Sequence, residues 1–255
     1  MKVLAVGSGK GGVGKSTVAI NIALALAAEG SAVGLLDADL YGPSIPLMVG
    51  IARTAWTQEW TLAGGAAKRL QPLRRHGIAI MSAGFILAED QPNVLGAFSV
   101  QMLIHQLVKQ TDWGTLDILV IDLPPGTADV QQAVMKSIPI NAALIVVTPQ
   151  DVAHLDGRKA ISMFAHARIP IAGAVENMSG LRCPHCGEVV DVFPRVDAER
   201  SIWAMGVEKL GSIPLDPQLA GSGDHGFPLL LSHPDSESAT VFRAIAGQVR
   251  VRLAR

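Results

Sequence analysis

The chain has 255 residues, a formal net charge of −1 and a pI near 6.6, and 49% of it is hydrophobic but only 4% aromatic. A chain of this length buries roughly three quarters of its unfolded surface, here in an aliphatic core of the kind found where helices cover parallel sheets, and its balanced charge excludes a nucleic-acid partner held by a basic field. No apolar run reaches the roughly 18 residues of a membrane span and two cysteines cannot build a disulfide framework, so a cytoplasmic protein with no membrane partner is expected.

Residues 3–6 form the first strand-length apolar run, which empties into GSGKGGVGKST. That stretch holds the pattern G-x-x-x-x-G-K-[ST] at Gly9, Gly14, Lys15 and Ser16, between a strand and an apolar helix expected over 15–29. Glycines let the backbone N–H groups from Gly9 through Gly11, Gly12, Val13 and Gly14 curl around one centre, and the helix adds about half a positive charge at its N-terminus. Lys15 would reach the β- and γ-phosphates of ATP, and the Ser16 hydroxyl would ligate Mg²⁺.

The run at 32–36 leads into Asp37 and Asp39, on the phosphate side of its strand. One of these carboxylates could orient an attacking water; the alternative, strongest for Asp37, is a cap or hydrogen bond to the phosphate loop. Residues 53–76 are mixed and loop-like and receive no function. A strand at 78–81, a helix at 94–110 and a strand at 117–121 follow, the last delivering Asp122. A buried carboxylate needs a partner, and a Mg²⁺ shell supplies one.

Helical patterns at 130–137, 152–166, 198–205 and 236–253 then alternate with strand runs at 142–147, 169–175 and 210–213. Alternation without linker or repeat predicts one domain over 1–255: an α/β fold with a doubly wound, mostly parallel sheet and helices on both faces. In the last helix Val241, Ile245, Val249 and Leu253 share a register with Arg243, Arg250, Arg252 and Arg255. Packing on the sheet with the arginines in solvent is expected, and an anionic surface is the alternative.

The glycine doublet and extra lysine of GKGGVGKST resemble the deviant Walker A motif of the MinD/ParA/nitrogenase iron protein class of P-loop ATPases. LLDADLYGPSIPLMVG, MSAGF, DWGTLDILVIDLPPGTADVQ, VVTPQDVAHLDGRKAISMF, VENMSG, CPHCGE and IPLDP together resemble the Mrp/ApbC-type iron–sulfur cluster carriers over nearly the whole chain. The resemblance implies a slow, switch-type ATP hydrolase, a homodimer that exchanges clusters with scaffold or donor proteins and delivers them to apo iron–sulfur proteins. It implies Lys10 as a lysine acting across the dimer in the manner of an arginine finger, and Lys15, Ser16 and Thr17 as phosphate and Mg²⁺ contacts. Asp39 and Asp122 would be the switch I and switch II aspartates, Asn177 the reader of the adenine edge, Pro214 a neighbour of the base, and Cys183 and Cys186 the cluster ligands.

Three features depart from that pattern. Relatives often carry a small domain before the phosphate loop, a Trp-Arg-Gly-Pro-Met-like segment where this chain reads PNVLGAFSVQML, and a glycine-rich tract where it reads DVFPRVDAERSIW. The last lies beside the cysteines and bears on cluster transfer or partner choice, not on the ATPase core.

CPHC supplies two thiolates, whereas a closed zinc or iron–sulfur centre takes four ligands. With about 10 to 16 kcal/mol at stake in a complete zinc site, a second pair from a two-fold related copy is the economical solution, holding one shared [4Fe–4S] cluster. A shared Zn²⁺ is the alternative, and it accompanies a second functional class, a MinD/ParA-like spatial organiser. A thioredoxin-type thiol oxidant also uses such a tetrapeptide, but the flanking sequence does not give that fold. His185 could tune or replace a ligand, but it is read as an exposed turn histidine, as are His154 and His225.

Overall fold

A computed structural model describes residues 1–52, 69–86, 97–126 and 129–254. Most of the unreadable stretch 53–76, the first residues of the expected helix 94–110 and part of PNVLGAFSVQML lie outside the described residues.

Ten strands and eight α-helices are described. The first half contains β1 (Lys2–Gly7), α1 (Lys15–Ala28), β2 (Val33–Asp37), α2 (Ile45–Met48), β3 (Leu73–Arg75), β4 (Ile78–Ser82), α3 (Ala97–His105) and β5 (Ile118–Asp122). Then come α4 (Asp129–Ser137), β6 (Ala142–Val147), α5 (Asp151–His166), β7 (Ile171–Asn177), a hairpin of β8 (Leu181–Arg182) and β9 (Val189–Val190), β10 (Lys209–Ile213), α6 (Pro217–Asp224), α7 (Leu229–Ser232) and α8 (Glu237–Ala254).

The main sheet has the order β10-β7-β6-β1-β5-β2-β4-β3, and every pairing except β3 with β4 is parallel. The strands β2, β4, β5 and β6 are buried along their full length, as expected of strands covered on both faces. β1 lies between β5 and β6, while the chain leaves it for β2 on one side and later reaches β7 and β10 on the other. This reversal opens a crevice at the carboxyl end of β1, the place where doubly wound sheets bind ligands.

α1 is apolar on nearly all sides because it packs against both the sheet and α8, and a helix apolar all round is a buried one. α8 turns Ile245, Val249 and Leu253 inward and sends Arg250 to Glu29 at 3.2 Å and Arg252 to Glu208 at 2.5 Å. Its apolar face is therefore used within the fold and is not available to an anionic surface. No helix among the described residues is long and apolar enough to cross a membrane.

The expected helix 198–205 is instead two 3-10 turns, Ala198–Arg200 and Ile202–Met205. His154 corrects the reading of an exposed histidine. It is fully buried on α5, its Nδ1 accepts the Ile202 N–H at 3.2 Å, and its ring meets Trp203 edge-on with centroids 5.7 Å apart. Burial pushes its pKa down. His185 and His225 are exposed as expected.

Candidate functional site

The phosphate loop runs from the end of β1 to the first turn of α1. Gly12 and Gly14 have φ of 78° and 83°, the left-handed region where a Cβ is strained. Gly14 is doubly constrained, since a Cβ there would lie 2.2 Å from Asn177 Nδ2. Gly9 approaches α5 so closely that a Cβ would lie 2.1 Å from the Asp156 carbonyl oxygen. The side chain of Val13 is buried and anchors the loop. Exposed Gly11 and Gly12 leave their backbone open to the crevice.

Around this loop lies a cleft of about 240 Å³, lined by Lys10, Lys15, Ser16 and Thr17 on one side and by Asp39, Ser44 and Pro125 on the other. Larger clefts of about 860 Å³ between α4 and α5 and about 630 Å³ beside Trp203 contain no glycine loop. Only the smallest of the three combines a helix N-terminus with a curled backbone, the arrangement an anion requires.

Lys15 and Asp122 meet at the floor of the cleft, with Nζ 2.5 Å from Oδ1 and the two side chains 7% and 0% exposed. Burial pushes the Asp122 carboxyl up, while Lys15 and the nearby Ser16 hydroxyl pull it back. Its second oxygen, Oδ2, is buried without a hydrogen-bond partner. An orphaned carboxylate oxygen beside the Ser16 hydroxyl fits a hard cation. Lys10 is half-buried at the rim of the cleft.

Asp37 and Asp39, two residues apart, do different work. Asp37 is fully buried at the end of β2; its Oδ1 accepts the Asp39 N–H at 3.1 Å, and its Oδ2 accepts the Ile45 N–H at 3.3 Å and the Ser82 hydroxyl at 2.8 Å. Burial first, then Asp122, pushes its pKa up to about 7 against the pull of Ser82 and Lys15. Asp37 thus ties down the loop that carries Asp39, not the phosphate loop. Asp39 is half-buried, faces the cleft, and accepts the Tyr41 and Gly42 N–H groups at 3.3 and 3.1 Å. Ser82 was not singled out from the sequence; its signal was a lone hydroxyl where the strand of MSAGF ends.

Asn177 ends β7 and is buried, with Nδ2 donating to the Val13 carbonyl at 2.8 Å. Its amide therefore holds the phosphate loop, and neither it nor the half-buried Pro214 lines the 240 Å³ cleft.

Six residues beyond Asn177, Cys183 begins the turn of the β8–β9 hairpin. The Cys183 N–H donates to the Glu188 carbonyl at 2.8 Å, and the Gly187 N–H donates back to the Cys183 carbonyl at 2.9 Å, Gly187 taking a φ of 77°. Hydrogen bonds from the Cys186 and His185 backbone lower the Cys183 thiol pKa, which favours the thiolate a metal needs. The Cys186 thiol lies 3.9 Å from Glu188 Oε2. Among the described residues no group of three or more His, Cys, Asp or Glu side chains is arranged to hold a metal. The sequence did not announce what fastens this hairpin. Ser179 donates to the Ile213 carbonyl, Leu215 to that of Gly180, and Arg182 grips Glu237 at 3.0 and 3.3 Å.

A family model described as NUBPL iron-transfer P-loop NTPase, of the ParA type, matches residues 1–250. The chain is 44% identical over 245 residues to an iron-sulfur cluster carrier protein of Aquifex aeolicus, covering 96% of this chain and 66% of that one. It is 43% identical over 254 residues to the iron-sulfur cluster transfer protein NUBPL of Mus musculus, covering 99% and 77%. Among solved structures, a nucleotide-binding protein of Archaeoglobus fulgidus in complex with ADP superposes with a TM-score of 0.75 at 34% identity, covering 93% of this chain and 90% of that one. The septum site-determining protein MinD of Pyrococcus horikoshii with Mg-ADP gives 0.74 at 25%, covering 97% and 95%. The chain thus spans just under two thirds of the length of its Aquifex relative.

Proposed function

Because the chain belongs to the ParA-type family of iron-transfer P-loop NTPases, we propose that it is an ATP-dependent carrier. On this reading it holds a [4Fe–4S] cluster between two copies of itself and delivers it to apo iron–sulfur proteins. The observation that carries the reading is the short path between its two sites. Asn177 holds the phosphate loop through the Val13 carbonyl, and Cys183 follows six residues later on a hairpin fastened to β10 and α8.

The backbone N–H groups from Gly9 to Gly14 would cradle the phosphates, with Lys15 turning from Asp122 toward the β- and γ-phosphates and Thr17 beside it. Ser16 and Asp122 would hold Mg²⁺, which supplies charge neutralisation between those phosphates. Asp39 would orient the attacking water, because it faces the cleft while Asp37 commits its oxygens to the loop. Lys10 would reach the nucleotide of the second copy. Asn177 and Pro214 would border the base.

Cys183 and Cys186 would provide half of the ligands of the cargo cluster, and the second copy the other half. Slow hydrolysis would open and close the pair, with no bond chemistry elsewhere to drive. The test is transfer from cluster-loaded protein to an apo-[4Fe–4S] enzyme, read as recovered enzyme activity with and without Mg-ATP. Wild type should transfer and Lys15→Ala should not, although its cysteines are intact; full transfer by Lys15→Ala would refute the nucleotide role.

A further inference from the structure

Besides Met1, Met205, Phe227 and Val251, the exposed large apolar side chains among the described residues fall into two groups. Tyr41, Leu47, Val152 and Leu155 stand on segments that leave the carboxyl ends of β2 and β6 around the phosphate loop. Val189, Val190 and Val192 stand on or just after β9, exposed by 58%, 53% and 43%. Both groups belong to one edge of the molecule. The hairpin is rooted at the carboxyl ends of β7 and β10 through Ser179 to Ile213 and Leu215 to Gly180, at 3.0 and 2.8 Å. β7 is separated from β1 by β6 alone, so the two strand axes are only about 10 Å apart.

Two cysteines on an exposed turn leave half of a four-ligand centre unfilled. If a second copy supplies the rest, its own hairpin must come within a cluster's width of this one, and whatever flanks the cysteines is then covered. A two-fold contact sets each patch against itself. Like charges facing one another there would repel, whereas an apolar strip is complementary to its own copy. Of the acidic neighbours, Asp191 is engaged by Arg195 at 2.7 Å. β9 pairs with β8 alone, so its other edge is open.

We infer that Val190 and Val192, two residues apart and so on one face of the extended chain, form the self-complementary contact through which the hairpin of a second copy closes over Cys183 and Cys186. The strip both brings the two cysteine pairs together and keeps water from the centre they share. This rests on the carrier reading above, which supplies the second copy, and adds the surface that recognises it.

The test is sedimentation velocity of wild type and of a Val190→Asp/Val192→Asp variant, before and after anaerobic reconstitution with iron and sulfide, with iron counted per chain. Val190→Thr/Val192→Thr serves as the near-isosteric control. Both positions are solvent-exposed, so the aspartates should leave the fold and the binding of a fluorescent ATP analogue unchanged. Self-association of the loaded protein should weaken at least tenfold and iron retention should fall with it, while the threonine control stays close to wild type. An aspartate variant that dimerises and loads like wild type overturns the inference. So does one that dimerises and loads normally but no longer transfers to an apo-enzyme, because the strip then belongs to the recipient. Wild-type protein that never acquires a cluster counts instead against the carrier reading.

Discussion

Replacing Asp37 with asparagine should change how stability depends on pH more than it changes stability itself. The carboxyl is fully buried and its pKa stands at about 7 instead of 3.8. Between pH 5 and 7 the folded protein keeps a proton that the unfolded chain has released, so stability declines as pH rises, by about 1.4 kcal/mol per unit and about 3 kcal/mol over the interval. The contribution of this group is complete below pH 3.8 and gone above about 7. Asparagine cannot titrate. It keeps one acceptor oxygen, but its Nδ2 cannot accept in place of the second, which costs roughly 1 to 2 kcal/mol. Wild type should therefore be the more stable protein at pH 5 and should lose that advantage by pH 8. Urea unfolding of both proteins at pH 5, 6, 7 and 8, without nucleotide or magnesium, measures the difference. A difference that stays flat with pH would mean that Asp37 is ionised throughout and that burial does not govern it.

Other expectations follow from single contacts. Lys15→Ala should abolish phosphate release and also destabilise the fold by about 3 kcal/mol, because a fully buried carboxylate loses its partner; Lys15→Ala/Asp122→Ala should regain most of the stability and none of the activity in the same two assays. Asn177→Ala should weaken ATP and GTP binding alike, by about tenfold, if the amide acts through Val13, whereas a loss confined to ATP would mean that it reads the base. His154→Ala should lower stability by about 2 kcal/mol in thermal or urea unfolding and leave ATPase activity intact, since the ring fills a buried site against Trp203. Burial holds the His154 pKa below 6.5, so its contribution is present above that pH and is lost as pH falls through the lower folded value. The wild-type advantage over His154→Ala should accordingly shrink in acid.

The parallel core was legible because its strands are runs of aliphatic residues, four of which end in residues that sit beneath or beside the phosphate loop: Gly7 on β1, Asp37 on β2, Asp122 on β5 and Asn177 on β7. The glycine loop was legible from its spacing. The β8–β9 hairpin was not, because two residues per strand show no periodicity and its order comes from distant partners, Arg182 to Glu237 and Ser179 to Ile213. α6 was missed although Asp216 caps it, accepting the Gln218 N–H at 2.9 Å, with Pro217 in the first turn; the two glycines within it masked the helical pattern. His154 was misread because residues near it in sequence do not reveal Ile202 and Trp203 packed over its ring. The division of labour between Asp37 and Asp39 required the position of Ser82 on the neighbouring strand.

The central claim is that two copies share one cluster through Cys183 and Cys186. It is tested most directly by anaerobic reconstitution with iron and sulfide in competition with zinc, followed by the visible spectrum and a metal count per pair of chains. The account predicts a brown protein with about four irons per pair, lost on Cys183→Ala or Cys186→Ala. A colourless protein holding a single zinc per pair, or full iron loading after either substitution, would contradict it.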